Sequence, residues 1–226
     1  MNLFTKVDIL QSSIRIDYHS KLAFFGSCFA DNISKRFTER KFHVLANPLG
    51  VIYNPLSIEN QIGKIAGEMR DENCLAESWN LWDAQGSFSE EALGKVVAKT
   101  LDFLKTADVV FITLGTAFVY FLKETGKAVC NCHKQPAELF ERRLISVDEA
   151  AEALKNTVAA LRKINEKAHI VFTVSPLRHL NDGAHGNNIS KSTLHLAVEK
   201  VVQEFEIYLI NTVFILVPTL PEYLCP

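Results

Sequence analysis

"LAFFGSCFADNISKRF", residues 22–37, passes from an apolar stretch through Gly26 into a segment with helical spacing, and the reading of that junction decides the fold. Leu22 to Phe25 are apolar without alternation, the pattern of a strand buried on both faces. Gly26 permits a tight turn, and Ser27 and Cys28 stand side by side before a helix expected over Phe29 to Arg40. A small nucleophile at such a turn gains exposure at the sheet edge and backbone N–H groups that can hold a developing oxyanion. A thiol gains further, because a helix N-terminus favours its anion. The structural alternative is that Ser27 caps the helix and Cys28 is a small buried apolar side chain.

Outward from this junction, "KLAFF", "FHVLA", "DVVFITL" and "HIVFTV" are runs rich in β-branched and aromatic residues and predict strands. Helical spacing also occurs over Glu90 to Thr106 and Ser146 to Lys167. In the second of these, Ser146 and Glu149 have capping-box spacing, and Val147, Ala150, Ala151, Leu154, Val158, Leu161 and Ile164 recur every three or four residues. Strand alternating with helix predicts an α/β domain whose parallel sheet is covered on both faces. Ligands of such sheets bind at the carboxyl ends of the strands. "GSC", "NPLG", "GTAF" and "SPLRH" each follow one of the four strands, so their polar residues are expected to converge on one rim.

The chain of 226 residues suits one domain over 1–226, and its 48% apolar and 22% charged composition is that of an ordinary globular protein. Twenty-four basic residues offset 26 acidic ones and form no basic cluster, which argues against a nucleic-acid partner. The first twenty residues lack the parts of a secretory signal, and the expectation is a cytoplasmic protein with no membrane partner. Cysteines at 28, 74, 130, 132 and 225 are expected to be thiols.

Four further segments carry candidate chemistry. "NPLGVIYNPLS", residues 47–57, is turn-rich; the Gly50 N–H is a candidate second oxyanion donor with Asn47 or Asn54 nearby, and a plain turn is the alternative. "TLGTAFVY", residues 113–120, offers the Thr116 hydroxyl to a substrate or to a cap. "CNCHK", residues 130–134, lacks the second ligand pair of a zinc site, so no metal is expected, and Asn131 or His133 is a candidate polar wall. "SPLRHLNDGAHGNNISKSTLHLAV", residues 175–198, reads as a long polar loop before a helix starting near Ser190. In it Arg178 could bind an anionic or carbonyl group, His179 serve as acid or base, and Asp182 orient either; a solvated loop is the alternative.

Together, "FGSCFADNI", "NPLGVIYNPLS", "TLGTAFVY", "NCHKQPAELFERRLIS" and "VSPLRHLNDGAHGNNISKSTLHLAV" resemble the GSCFA family, in order, from about residue 21 to about 205. That family is similar to the SGNH (GDSL-like) hydrolases. The resemblance implies a flavodoxin-like three-layer α/β/α sandwich with a parallel central sheet and ester-cleaving chemistry, often on acylated carbohydrates or lipids. Laid on the "GDS" block of those hydrolases, "FGSC" puts Cys28 at the nucleophile and Ser27 at the preceding Asp; a shift by one residue makes Ser27 the nucleophile. Gly50 then matches the second block's oxyanion glycine. "GTAF" lacks the third block's Asn, so Thr116 or Asn131 would supply a side-chain donor.

Two departures from the family pattern stand out. An Asp-x-x-His-Pro segment that would supply the base is expected past residue 205, yet the chain ends in "IYLINTVFILVPTLPEYLCP", with no His and Glu222 as its one charged residue. "WDAQGSFS", residues 82–89, has Ala84 and Gln85 where a pair of histidines is expected. Residues 207–226 are therefore expected to be an atypical tail, from a truncation or frame change, leaving the C-terminal end of the fold incomplete. His179 would substitute as base. The function implied is an esterase or acyl transferase acting on a small-molecule or glycan substrate without cofactor. The alternatives are a non-catalytic glycan- or acyl-binding module built on Arg178, His179 and Asn131, or an inactive truncated member.

Overall fold

A computed structural model describes residues 13–68, 90–130, 132, 135–205 and 208–210. Its central sheet has five parallel strands: β1 (Lys21–Gly26), β2 (His43–Ala46), β3 (Val109–Leu114), β7 (His169–Val174) and β8 (Tyr208–Ile210). Their spatial order is β2-β1-β3-β7-β8. The chain thus winds one way from β1 to β2 and the other way from β3 onward, which opens a crevice between the carboxyl ends of β1 and β3. The four strands expected from the apolar runs are all present.

Alternate residues of β1 enter different cores, because successive side chains of a strand point to opposite faces. Leu22 and Phe24 pack with Ala30, Ile33 and Phe37 of α1 (Cys28–Glu39). The Phe24 ring stacks on Phe111 of β3 with centroids 4.7 Å apart. On the other face, Ala23 and Phe25 join Ile58 and Ile62 of α2 (Pro55–Ala66), Leu154 and Val158 of α4 (Val147–Ile164), and Leu194 and Val198 of α5 (Gly183–Glu204). Between α2 and β3 lies α3 (Glu90–Leu104). Helices on both faces make the three-layer sandwich. Full burial of Phe24 and Phe25, 2% and 0% exposed, contributes about 2–3 kcal/mol each and ties the junction at Gly26 to both layers.

Local signals explain the boundaries. Ser146 accepts from the N–H of Glu149, whose carboxylate accepts from Ser146, so the expected capping box starts α4. Asn54 caps α2 through the N–H of Ser57, and Pro55 takes the first helical position. Two expectations need correction. The polar loop expected to run from Ser175 to a helix start near Ser190 is shorter, because α5 begins at Gly183; the polar residues Asn187, Ser190 and Thr193 of that helix are buried rather than solvated. An antiparallel sheet, ordered β5-β4-β6, intervenes between β3 and α4 and was absent from the sequence reading. It consists of β4 (Phe118–Leu122), β5 (Ala128–Val129) and β6 (Phe140–Leu144), and stands above the rim.

The fifth strand, β8, closes one edge of the sheet, so the fold continues past residue 205. Residues 211–226 of the expected atypical tail, like Ala84, Gln85, Asn131 and His133, lie outside the described residues. Among the described residues no helix is long and apolar enough to cross a membrane.

Candidate active site

The junction at Gly26 is held by backbone on two sides and by the Asn47 side chain on a third. The Gly26 φ of +128° is open to glycine and rarely to other residues. The N–H of Ser27 donates to the Thr113 carbonyl of β3 (3.0 Å), and the Gly26 carbonyl accepts from Ile52 (3.0 Å). Asn47, itself at φ +37°, accepts from the Gly26 N–H through Oδ1 (2.8 Å) and donates from Nδ2 to Asp31 Oδ1 (2.8 Å). One side chain therefore joins the ends of β1 and β2 to the first turn of α1. Asn47→Ala is expected to lower stability by about 2 kcal/mol, since two hydrogen bonds go, one of them to a carboxylate. Urea unfolding checks this, and a change under about 0.5 kcal/mol would remove Asn47 from that role.

Ser27 and Cys28 are not equivalent. Ser27 is 2% exposed, makes no side-chain cap, and its Oγ has no hydrogen-bond partner among the described residues. Cys28 opens α1, is half-buried and forms no disulfide. First-turn N–H groups of a helix have no acceptor within it, so the start of α1 presents donors where Cys28 sits.

The surroundings of Cys28 come from three other segments. Tyr53, from the loop after β2, feels the Cys28 charge; burial raises its phenol above the usual range, and Cys28 and Asp31 add to that. Its carbonyl accepts from the N–H groups of Gly115 (2.7 Å) and Thr116 (3.0 Å), which fastens that loop to the end of β3. The Tyr53 ring meets His179 edge-on with centroids 6.2 Å apart. Lys191, on the third turn of α5, sends its Nζ to the Gly115 carbonyl. Burial pulls the Lys191 ammonium down to about 8, and the nearby Cys28 charge works against that fall. His179 also bonds to the Gly115 carbonyl; burial and then Lys191 lower its pKa, while Asp182 and that carbonyl oppose the shift. One carbonyl thus gathers the amine and the imidazole, and the Cys28 charge acts on the amine. His195, one helical turn beyond Lys191, is half-buried and lowered by burial and by Lys191.

Of the residues singled out in the sequence, Cys28 and His179 come together around Lys191, and Arg178 is exposed in a cavity next to His179. Three others point elsewhere. The Gly50 N–H donates to the Asn47 carbonyl (2.9 Å) within its own turn. Asn54 is 4% exposed and holds the start of α2. The Thr116 hydroxyl meets Ser190 Oγ (3.0 Å) and accepts from the Phe118 N–H (3.1 Å), bracing the turn into β4.

Lys191 escaped the sequence reading, because a lysine in a polar run resembles a solvated one. A signal was present: Asn187, Ser190, Leu194, Ala197, Val198 and Val201 recur at helical spacing and mark one buried face, beside which Lys191 falls. No group of three or more metal-ligating side chains occurs among the described residues.

These segments, in this order, match a model of the GSCFA family over residues 21–209. The chain belongs to the GSCFA family. Among solved structures, this GSCFA chain is similar to an acetyl xylan esterase from the rumen bacterium Butyrivibrio proteoclasticus, at 12% identity and a TM-score of 0.42. The similarity covers 88% of this chain and 57% of that one, so the GSCFA chain spans little more than half the esterase's length. No curated protein matches it.

Proposed function

We propose that this GSCFA protein is an ester hydrolase or acyl transferase in which Cys28 is the nucleophile and Lys191 takes its proton. The observation that carries the reading is the buried Lys191 amine, lowered to about 8, within electrostatic reach of a thiol at a helix N-terminus. An amine of that basicity is partly neutral at ordinary pH, and desolvation of a lysine is an established route to a general base. Cys28 Sγ attacks the ester carbonyl as its proton passes to Lys191 Nζ. The developing oxyanion faces the first-turn N–H groups of α1 and the new ammonium. On collapse, the C–O bond breaks and the alcohol leaves with the proton from Lys191. The acyl group remains on sulfur as a thioester, and water or another acceptor then releases it.

His179 bonds to the same carbonyl as Lys191, and burial together with the Lys191 charge holds its imidazole toward the neutral form. Ser27 is the weaker nucleophile in this arrangement, sealed at 2% exposure. The test is turnover of short-chain p-nitrophenyl esters. Cys28→Ala should lower the rate by roughly 100-fold or more. Ser27→Ala should keep the fold and most of the rate, because it removes a buried hydroxyl that bonds to nothing described. No turnover above buffer, or turnover indifferent to Cys28→Ala, would overturn the reading. Ligand-induced stabilisation without turnover would favour a binding module instead.

A further inference from the structure

Beside His179 opens a cavity of about 430 Å³ lined by Tyr120, Arg142, Arg178, His179, Asn181 and Asp182. One wall, Tyr120 and Arg142, comes from the antiparallel sheet; the other comes from the segment that joins β7 to α5. The acyl chemistry proposed above uses neither guanidinium.

The two arginines are held differently. Arg142 bonds to Asp182 Oδ1 (2.6 Å) and lies over the Phe118 ring, 4.2 Å from its centroid. Its planar fork is therefore oriented before any ligand arrives. The Asp182 side chain is only 3% exposed, so most of its charge is committed to Arg142 rather than to the cavity. Arg178 is exposed and has no ion pair with any described residue. Two guanidiniums against one paired carboxylate leave the cavity with a single positive charge, and burial holds His179 toward its neutral form. A monoanion matches that balance. A dianion would bring a second negative charge close to Asp182 with nothing left to pair it. Guanidinium forks suit carboxylates, which they can bind through two parallel N–H bonds. Tyr120, 38% exposed, presents a ring edge and face to whatever carries the charge.

We propose that this cavity binds a carboxylate on the substrate, so that the ester offered to Cys28 belongs to an acidic molecule. The carboxylate can sit on the alcohol side, as in an acylated sugar acid, or on the acyl side, as in a half-ester of a dicarboxylic acid. The inference rests on the ester-cleaving reading for its meaning but not for its test.

Binding of non-reactive fragments to the intact protein separates the two. D-glucuronate, D-glucose, succinamate (the monoanionic, non-hydrolysable counterpart of a succinate half-ester) and inorganic phosphate would each be titrated, with binding followed by NMR or thermal shift. At least one carboxylate should bind, in the range of about 1 mM for a fragment of this size. Glucose should bind far more weakly. A preference for glucuronate would place the charge on the sugar side, and one for succinamate on the acyl side. Arg178→Gln, at an exposed position that should not disturb folding, should weaken carboxylate binding by roughly tenfold, the loss of one charge-assisted hydrogen-bonding partner. Cys28→Ala should leave it unchanged. The proposal falls if neither carboxylate binds, if glucose binds as well as glucuronate, if phosphate binds more tightly than both carboxylates, or if Arg178→Gln changes nothing. Ester turnover together with any of those results would sink this inference alone; carboxylate binding without turnover would sink the catalytic reading and leave this one standing.

Discussion

Lys191→Met should abolish ester turnover and, near neutral pH, raise the melting temperature. Both effects follow from one cause, since the site keeps an amine where its charged form is poorly solvated. Burial lowers Lys191 from 10.5 to about 8. The folded chain therefore holds fewer protons than the unfolded chain between about 8 and the ordinary lysine range. By linkage, stability rises with pH across that window, and below about 8 the folded state bears the full cost of a buried ammonium. The shift corresponds to at most about 3 kcal/mol. Partial contact with solvent reduces that, as does loss of the bond to the Gly115 carbonyl, which still accepts from His179. A net gain of about 1–2 kcal/mol remains for an unbranched apolar replacement, or roughly 3–6 °C in a domain of this size. Melts of both proteins at pH 7 and pH 10 check this, because the advantage should narrow at the higher pH. The wild-type rate should in turn rise with pH through about 8 as Lys191 loses its proton. A variant that is less stable at pH 7, or that still turns over ester, would show that Lys191 is an ordinary structural lysine.

The largest expected loss of stability is at Gly26. A Cβ added there would lie 2.1 Å from the Thr113 carbonyl oxygen, 2.8 Å from its carbon and 2.9 Å from its nitrogen. All three atoms are backbone of β3, paired through the β1–β3 ladder, so relief requires the two central strands to part. The φ of +128° adds backbone strain for any residue with a side chain. Gly26→Ala is expected to cost about 4 kcal/mol or more, a large share of the 5–15 kcal/mol that holds a domain together. Gly50→Ala is the control: φ is +93° there, but nothing lies within 4 Å of the added Cβ, and about 1 kcal/mol is expected. Urea unfolding of the two variants measures the difference. Equal losses would mean that the close approach of β1 to β3 does not constrain position 26.

How far the site could be read from sequence follows the range of the interactions involved. The β1 to α1 junction was legible because it is local: a continuous apolar run, a glycine and helical spacing lie within sixteen residues. The α4 capping box was legible for the same reason. The Gly50 N–H is engaged with the Asn47 carbonyl three residues away, the plain turn that the turn-rich composition of residues 47–57 offered as the alternative to an oxyanion donor. The start of α5 was placed too late because Asn187 and Ser190 look solvated in sequence. Asn187 accepts from the His179 N–H (3.0 Å) and Ser190 from the Ala117 N–H (2.8 Å), so their polarity serves the rim. Helical periodicity is hidden when the buried face is itself polar.

By itself, then, the sequence determined the four strands β1, β2, β3 and β7, the alternation of strand and helix that makes a layered sandwich, and the position of Ser27 and Cys28 at a strand end, since each follows from patterns among near neighbours. Only the tertiary structure decided that Ser27 is sealed while Cys28 is not, that burial lowers Lys191 within the field of Cys28, and that Arg142 from a separate small sheet shares a cavity with Arg178. Burial is a property of the packed whole, and the proton affinity of a lysine or the accessibility of a serine is set only by what the rest of the chain places around it.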